Sequence, residues 1–457
     1  MYSTPGEGLG DRRAAPMIHD QRMTLAHDAT TLLQRLIRLD TVNPPGNERP
    51  AQELLRGELE AAGFECELLG TSAERPNLVA RLRGRSDGPR LCYLGHVDTV
   101  LADAAEWSVD PWSGALRDGH VWGRGALDMK GQVACEVAAA CALARSGWRP
   151  ARGELLVVAT CDEEAGATLG AQWLCEEVPE KVRCDMVVNE GAGEVVEYDG
   201  RRLYTLCVGE KGVFRFRLST DGRAGHASMP AMGDNALLRM IDVLGRLGGR
   251  QPDPDSYAAG VASLETLLEG PADDVPAALA RVRAVEPRLA ALLDPMMGVT
   301  IAPTMIRASE KENVIPSRCT VRVDCRVPPG LGEEHVRRRV TELLGEEAAG
   351  GYRIEFGEEV VGNSSPADSR LAALVRDFVG RTEPGAGILP IVLPGFTDSH
   401  WFRKAFPECV AYGFFPQRAM TRFETMPLIH APDERIAIDD IELASRFFSE
   451  LAPAVLG

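Results

Sequence analysis

The stretch LCYLGHVD, residues 91–98, decides how this chain is to be read. Its apolar run ends on His96, and an acid, Asp98, follows two residues later. Short apolar runs bounded by turn residues read as buried strands. Three more occur: NLVARL from Asn77, LLVVAT from Leu155, and MVV just before Asn189. Helical patterns lie between them, as from Gln132 to Ser146, so the expectation is an α/β fold with a mostly parallel central sheet. Ligands of open α/β sheets bind beyond the carboxyl ends of the strands. His96 sits at such an end, Glu163 and Glu164 follow LLVVAT in CDEEAG, and Glu190 follows MVV in NEG. Asp128 lies in GRGALDMKG, a glycine-rich turn leading into a helix.

On the N-terminal side, ATTLLQRLIRL (residues 29–39) has apolar residues at helical spacing and stops before TVNPPGNE, which is turn chemistry. A second helix is expected over residues 50–62. Residues 1–28 read as a loose extension. They have charges but no continuous apolar core of the kind a secretory signal carries.

Beyond about Val208 the pattern changes. GVFRFRLST alternates as a half-buried strand does, and Asn235 to Leu247 reads as an amphipathic helix opened by Asp234. VTIAPTMIRA and CTVRVDCRV give two strands, Glu333 to Leu344 a helix, and YRIEF a last strand. That order is the ferredoxin-like split unit, interrupted by an Ala-, Leu- and Pro-rich helical insertion at about 253–297. The expected organisation is a catalytic α/β domain at 29–207 and 360–457, with a lid domain inserted at 208–359.

Composition excludes several classes. With 50 Lys+Arg against 67 Asp+Glu the formal charge is −17, which opposes long-range attraction to nucleic acid or anionic membrane. No apolar run approaches the roughly 18 residues of a membrane helix. Eleven cysteines form no C-x-x-C pair and sit in apolar runs, as Cys92 and Cys161 do. Buried free thiols and a reducing, cytoplasmic compartment fit that usage.

Carboxylates crowded at one end of neighbouring strands raise one another's pKa, and a divalent cation removes that cost by pairing with all of them. Mixed imidazole and carboxylate ligands suit zinc, with cobalt or manganese as substitutes by ligand type. His96, Asp128, Glu164, Glu190 and His430 are too many for one catalytic zinc. They suit two ions about 3.5–4 Å apart that share a carboxylate and a water. Asp128, central in the order of motifs, is the natural bridge.

HVDTV, WSVDPWSGALRDGHVWGRGALDMKG, CDEEAG, NEG, GRAGHASMP and IHAPDE resemble, in order and spacing, metallopeptidase family twenty, which includes aminoacylases, deacylases and carboxypeptidases. The resemblance covers nearly all of the chain after about Leu33. It implies that His96 and Glu190 hold one zinc and Glu164 and His430 the other, with Asp128 bridging and followed by a cis peptide. It further implies Asp98 as the acid orienting His96, Glu163 as general base, and His226 as a lid histidine reaching the active site, from the other subunit in dimeric members. Asn313, Arg326, Gly395, Thr397 and His400 match substrate-contacting positions, although many relatives have Arg where His400 stands. The implied reaction is hydrolysis of an amide bond in an N-acyl amino acid or short peptide with a free carboxylate, and a homodimer through the lid is compatible with it. Two rival readings rank lower. A non-catalytic binding protein on the same scaffold would not need the intact base and ligand set, and a two-metal phosphoesterase lacks a phosphate-cradling glycine loop with its lysine.

Overall fold

In the computed structural model, which describes residues 19–249 and 251–457, the chain forms two compact units. The first comprises the described residues up to Val188 together with Phe415–Gly457, and the second is Asn189–Phe414. The first unit begins with α1 (His19–Ile37) and α2 (Arg49–Ala62), then β1 (Glu65–Leu69), β2 (Asn77–Arg83) and β3 (Arg90–His96). There follow β4 (Ala115–Arg117), β5 (His120–Trp122), α3 (Lys130–Arg145), β6 (Glu154–Thr160), the short helices α4 (Ala171–Glu177) and α5 (Pro179–Val182), and β7 (Met186–Asn189). Helix α1 starts ten residues ahead of Ala29, because Leu25 and Ala26 extend the buried stripe of Ala29, Leu32, Leu33, Leu36 and Ile37. Residues 19–28 of the expected loose extension are therefore helical, and residues 1–18 lie outside the described range.

The strands of this unit run in the order β1-β2-β6-β3-β7. The β6-β3-β7 core is parallel, while β1 and β2 join antiparallel, so the sheet is mixed. Register puts His96 opposite Thr160, with Gly95 opposite Ala159, so β3 and β6 end together. All seven residues of β6 are buried, as expected of a strand covered on both faces.

The second unit contains β8 (Glu194–Tyr198), β9 (Arg201–Glu210), β10 (Gly212–Asp221), β11 (Gly225–His226), α6 (Ala236–Leu247), α7 (Ala258–Leu268), α8 (Val275–Val285) and α9 (Pro287–Leu293). It continues with β12 (Thr300–Arg307), β13 (Val314–Ile315), β14 (Arg318–Val327), α10 (Glu333–Leu344), α11 (Glu347–Gly350), β15 (Arg353–Val360), β16 (Asn363–Ser364), α12 (Arg370–Thr382), β17 (Gly387–Leu393), α13 (Ser399–Ala405) and β18 (Val410–Gly413). The four-stranded sheet β12-β14-β10-β15 is antiparallel throughout. Helices α6 and α10 pack on it through Met240, Val243, Val336 and Val340 against Phe216, Leu218, Val321 and Val323. Each such apolar side chain stabilises by roughly 1.5–3 kcal/mol when buried. This is the ferredoxin-like order read from the sequence. The cap of α6 is Asn235, whose side chain accepts from Leu237 N–H at 3.0 Å, rather than Asp234; Asp234 instead pairs with Arg239.

The insertion is helical, as α7, α8 and α9. It packs on β17, where the Ser263 hydroxyl donates to the Pro390 carbonyl at 2.6 Å. That leaves β12 as an edge strand, exposed from Ala302 to Arg307. The chain then re-enters the first unit with β19 (Gln417–Thr421), α14 (Arg422–Thr425), β20 (Arg435–Ala437) and α15 (Ile438–Leu456), and β20 pairs with β5. Among the described residues no helix is long and apolar enough to cross a membrane.

Candidate metal centre

The end of β3 fixes His96 from both sides. The ring is 1% exposed, its Nδ1 lies 3.0 Å from the Asp98 carbonyl, and its Nε2 lies 3.2 Å from Asp128 Oδ1. Donation from Nδ1 to that carbonyl leaves the Nε2 lone pair directed into the site, the tautomer a metal requires. The Asp98 carboxylate is farther from Nδ1, at 3.5 Å. Its closer partners are the N–H groups of Glu163 (3.2 Å) and Glu164 (3.1 Å) and the Asn43 side-chain amide (2.9 Å). Asp98 thus holds the turn that carries both glutamates. Burial works to raise its carboxyl, but the His96 ring, the Asn43 amide and the Glu164 N–H outweigh it and keep the group below the ordinary carboxylate value.

Asp128 lies between the two histidines. Its loop needs glycine: Gly125 has φ +88°, and a Cβ on Gly131 would lie 2.1 Å from the Ala126 carbonyl oxygen. The Asp128–Met129 peptide is cis. One Asp128 oxygen faces His96 Nε2, and the other is 3.1 Å from His430 Nε2. His430, at φ 60°, is also 3.2 Å from Glu164. Facing Asp128 and Glu164, the His430 ring is pushed up to about 10, and Asp128 is held far below the ordinary range despite its burial.

Within the first unit one ligand group results, its donor atoms within 4.8 Å of one another: Asp128, Glu164 and His430, with His96 Nε2 on the other oxygen of Asp128. Glu190 is the residue after β7, the strand paired in parallel to β3. Asp128 is common to both histidines. Imidazole nitrogens aimed at carboxylate oxygens are an arrangement that a shared positive charge stabilises, and this donor set fits divalent cations. Glu163 Oε2 is 3.9 Å from His96 Nε2.

Reading the sequence missed three supports. Asn43, from the NPPG turn, bridges Asp98 and Asp162. Asp162, at φ 68°, accepts from Thr168 and Leu169 and pairs with Arg75. Glu434, in the same IHAPDE segment as His430, is 0% exposed and accepts four hydrogen bonds. A buried-looking acid inside a motif was the available signal for the last of these.

The remaining expected site residues belong to the second unit. His226 and Asn313 are neighbours across the β11–β13 ribbon, where Ala227 N–H donates to the Asn313 carbonyl at 3.0 Å. His226 Nδ1 is 2.8 Å from the Ser228 hydroxyl. Arg326 is elsewhere: it pairs with Asp324 at 2.8 Å and lies opposite Val213, at the start of β10, whereas Arg318, three residues past the ribbon, lies opposite Asp221. Eight residues of strand span ~27 Å at 3.4 Å each, so one chain does not bring Arg326 to His226 and Asn313. Thr397 has its N–H and hydroxyl taken by the buried Glu210, at 3.2 and 2.5 Å. His400 is 2% exposed, lies against Phe396 and Trp401, and is lowered to about 4 by burial, helped by Arg403 and Lys404, so its ring is neutral near pH 7.

The family model for "Peptidase family M20/M25/M40" matches residues 92–454. The chain belongs to this family. Its members are metal-dependent hydrolases, and the expected resemblance holds over most of the sequence. The chain is 36% identical over 244 residues to a succinyl-diaminopimelate desuccinylase of Xanthobacter autotrophicus, a match covering 52% of this chain and 61% of that one. With a protein of the same name from a Caulobacter species it shares 27% identity over 436 residues, covering 93% of this chain and 95% of that one. The fold is similar to that of an M20 family metallo-carboxypeptidase from Sulfolobus solfataricus, with a TM-score of 0.69 at 17% identity, covering 95% of this chain and 99% of the other.

Proposed function

We propose that this chain hydrolyses an amide bond in an N-acyl amino acid or short peptide with a free carboxylate, using two zinc ions for which cobalt or manganese can substitute. The observation that carries this reading is that Asp128 faces His96 with one oxygen and His430 with the other, with Glu164 on His430 and Glu163 near His96. His96 and Glu190 would hold one ion and Glu164 and His430 the other, with Asp128 available to both. Bound there, the ions would supply Lewis-acid chemistry, activating an attacking water and polarising the scissile carbonyl. Glu163 takes the proton of that water and returns it to the leaving amine. Asp98 keeps both glutamates in place through their N–H groups.

Residues 208–359 form the lid of this proposal, and the catalytic domain is 29–207 with 360–457. In it His226 donates to the developing oxyanion, while Asn313, Arg326 and the segment with Gly395, Thr397 and His400 meet the substrate's carboxylate end. The separation of Arg326 from His226 along β10 supports drawing the two from different copies of the chain. So does the free edge of β12, where Met305 and Ile306 are about half exposed. Pairing of two such edges gives a symmetric homodimer. Eleven free cysteines, ten of them buried, support a reducing, cytoplasmic setting.

The relatives' name makes an N-succinyl amino acid the first substrate to test. The experiment is a screen of N-succinyl, N-acetyl and N-carbamoyl amino acids and dipeptides with added zinc, cobalt or manganese. Metal-dependent release of a free amine is expected; turnover unaffected by chelation would overturn the reading.

A further inference from the structure

The loop from Gly123 to Asp128 is organised around one acid outside it. Glu434 Oε1 accepts from the N–H groups of Leu127 (2.7 Å) and Asp128 (3.1 Å), and Oε2 from Gly125 N–H (3.2 Å) and the Arg124 guanidinium (2.6 Å). The Glu434 carbonyl in turn accepts from Gly123 N–H at 2.9 Å. All of these lie in the first unit. Three convergent N–H groups and a cation around a fully buried carboxylate form a closed hydrogen-bonded set.

Glu434 is also four residues from His430. The short segment between them is fixed again at Asp433, which accepts from Ser108 N–H and hydroxyl, both at 2.7 Å. The next residue, Arg435, opens β20 in register with Trp122. One carboxylate therefore sets the backbone carrying Asp128 relative to the segment carrying His430. Those two side chains approach within 3.1 Å.

We infer that Glu434 is a positioning residue of the metal centre: it fixes the shared ligand Asp128 against the ligand His430 before any cation binds. This rests on the two-metal reading above. A loop holding its ligands in place before binding has less ordering to do on binding, so the loss of Glu434 falls on metal affinity. The ion between Asp128, Glu164 and His430 is the one most affected, because both of its ends depend on Glu434.

The test uses Glu434→Asp, which keeps a charge for Arg124 but withdraws the carboxylate by one methylene, and the double change Glu434→Gln with Arg124→Gln, which leaves no buried charge unpaired. Zinc stoichiometry and affinity are measured by chelator competition, with circular dichroism of the metal-free proteins alongside. The expected result is a native spectrum with one zinc weakened about 10–100-fold and kcat reduced when zinc is limiting, recovered by excess zinc. Wild-type affinity for both ions in the variants would overturn the inference, leaving Glu434 a fold residue only. Wild-type protein that binds fewer than two zinc ions would instead overturn the two-metal reading. Should neither variant fold, hydrogen exchange of the metal-free wild type decides: Leu127 and Asp128 amides as protected as those of β3 support the inference, and amides that exchange freely until zinc is added overturn it.

Discussion

Replacing Asp98 with Asn removes a charge while keeping the shape, and the structure sets the size of the effect. Oδ2 accepts from Glu164 N–H and the Asn43 amide, and Oδ1 from Glu163 N–H. An asparagine can keep the Oδ2 partners only by turning its NH2 toward Glu163 N–H, where donor meets donor. One bond to a charged acceptor is lost, about 1.5–3 kcal/mol, and a buried N–H is orphaned, about 1–3 kcal/mol. The sum is ~2.5–6 kcal/mol, a drop in Tm of roughly 5–24 °C for a unit of this size. The acid sits behind His96, Glu163 and Glu164 together, so zinc affinity falls a further 10–100-fold by the usual cost of losing an outer partner of metal ligands. The assay is thermal unfolding of metal-free wild type and Asp98→Asn from pH 7 downward, followed by chelator competition. Asp98 is held below its ordinary carboxylate value. Its contribution is therefore complete above the unfolded value of about 3.9 and is lost as pH falls through the lower folded value. The gap between the two proteins should be constant near neutrality and close only in strong acid. Equal Tm at pH 7 with unchanged zinc affinity would refute the argument.

Glu163→Gln should retain two metals yet lose turnover by ~10²–10⁴-fold; undiminished turnover on the substrate found by screening would remove Glu163 as the base. Burial pushes the carboxyl of Glu136 in α3 well up, against one hydrogen bond from Gln132. The folded state thus keeps a proton that the unfolded chain releases above about 4.3, and stability falls as pH rises through that range. Glu136→Gln should gain on wild type in Tm at pH 8 more than at pH 5, and a gain independent of pH would contradict this. Ile306→Lys, about half exposed on the β12 edge, should convert a dimer to a monomer by light scattering without loss of fold; an unchanged mass would place the dimer contact elsewhere.

Much of the architecture was legible because the signals are local. Period-two alternation in GVFRFRLST, caps and turn residues fixed β10, α6, α10 and the ferredoxin-like order to within a residue or two. The antiparallel arrival of β1 and β2 was not legible, since an apolar run such as NLVARL reads the same in either direction. The start of α1 was missed because Leu25 and Ala26 carry one weak turn of the stripe, and only packing reveals that they are buried.

The site divides in the same way. By itself the sequence determined which side chains could bind a cation, because strand-end positions and motif spacing are properties of short segments. Tertiary structure alone decided that Asp128 faces both His96 and His430, that Asp98 grips the Glu163–Glu164 turn, that the Thr397 hydroxyl is held by Glu210, and that Glu434 joins two ligand segments about 300 residues apart in the chain. Hydrogen bonds between distant segments leave no periodic trace in either one. They exist only once pairings such as that of β20 with β5 have brought distant segments together.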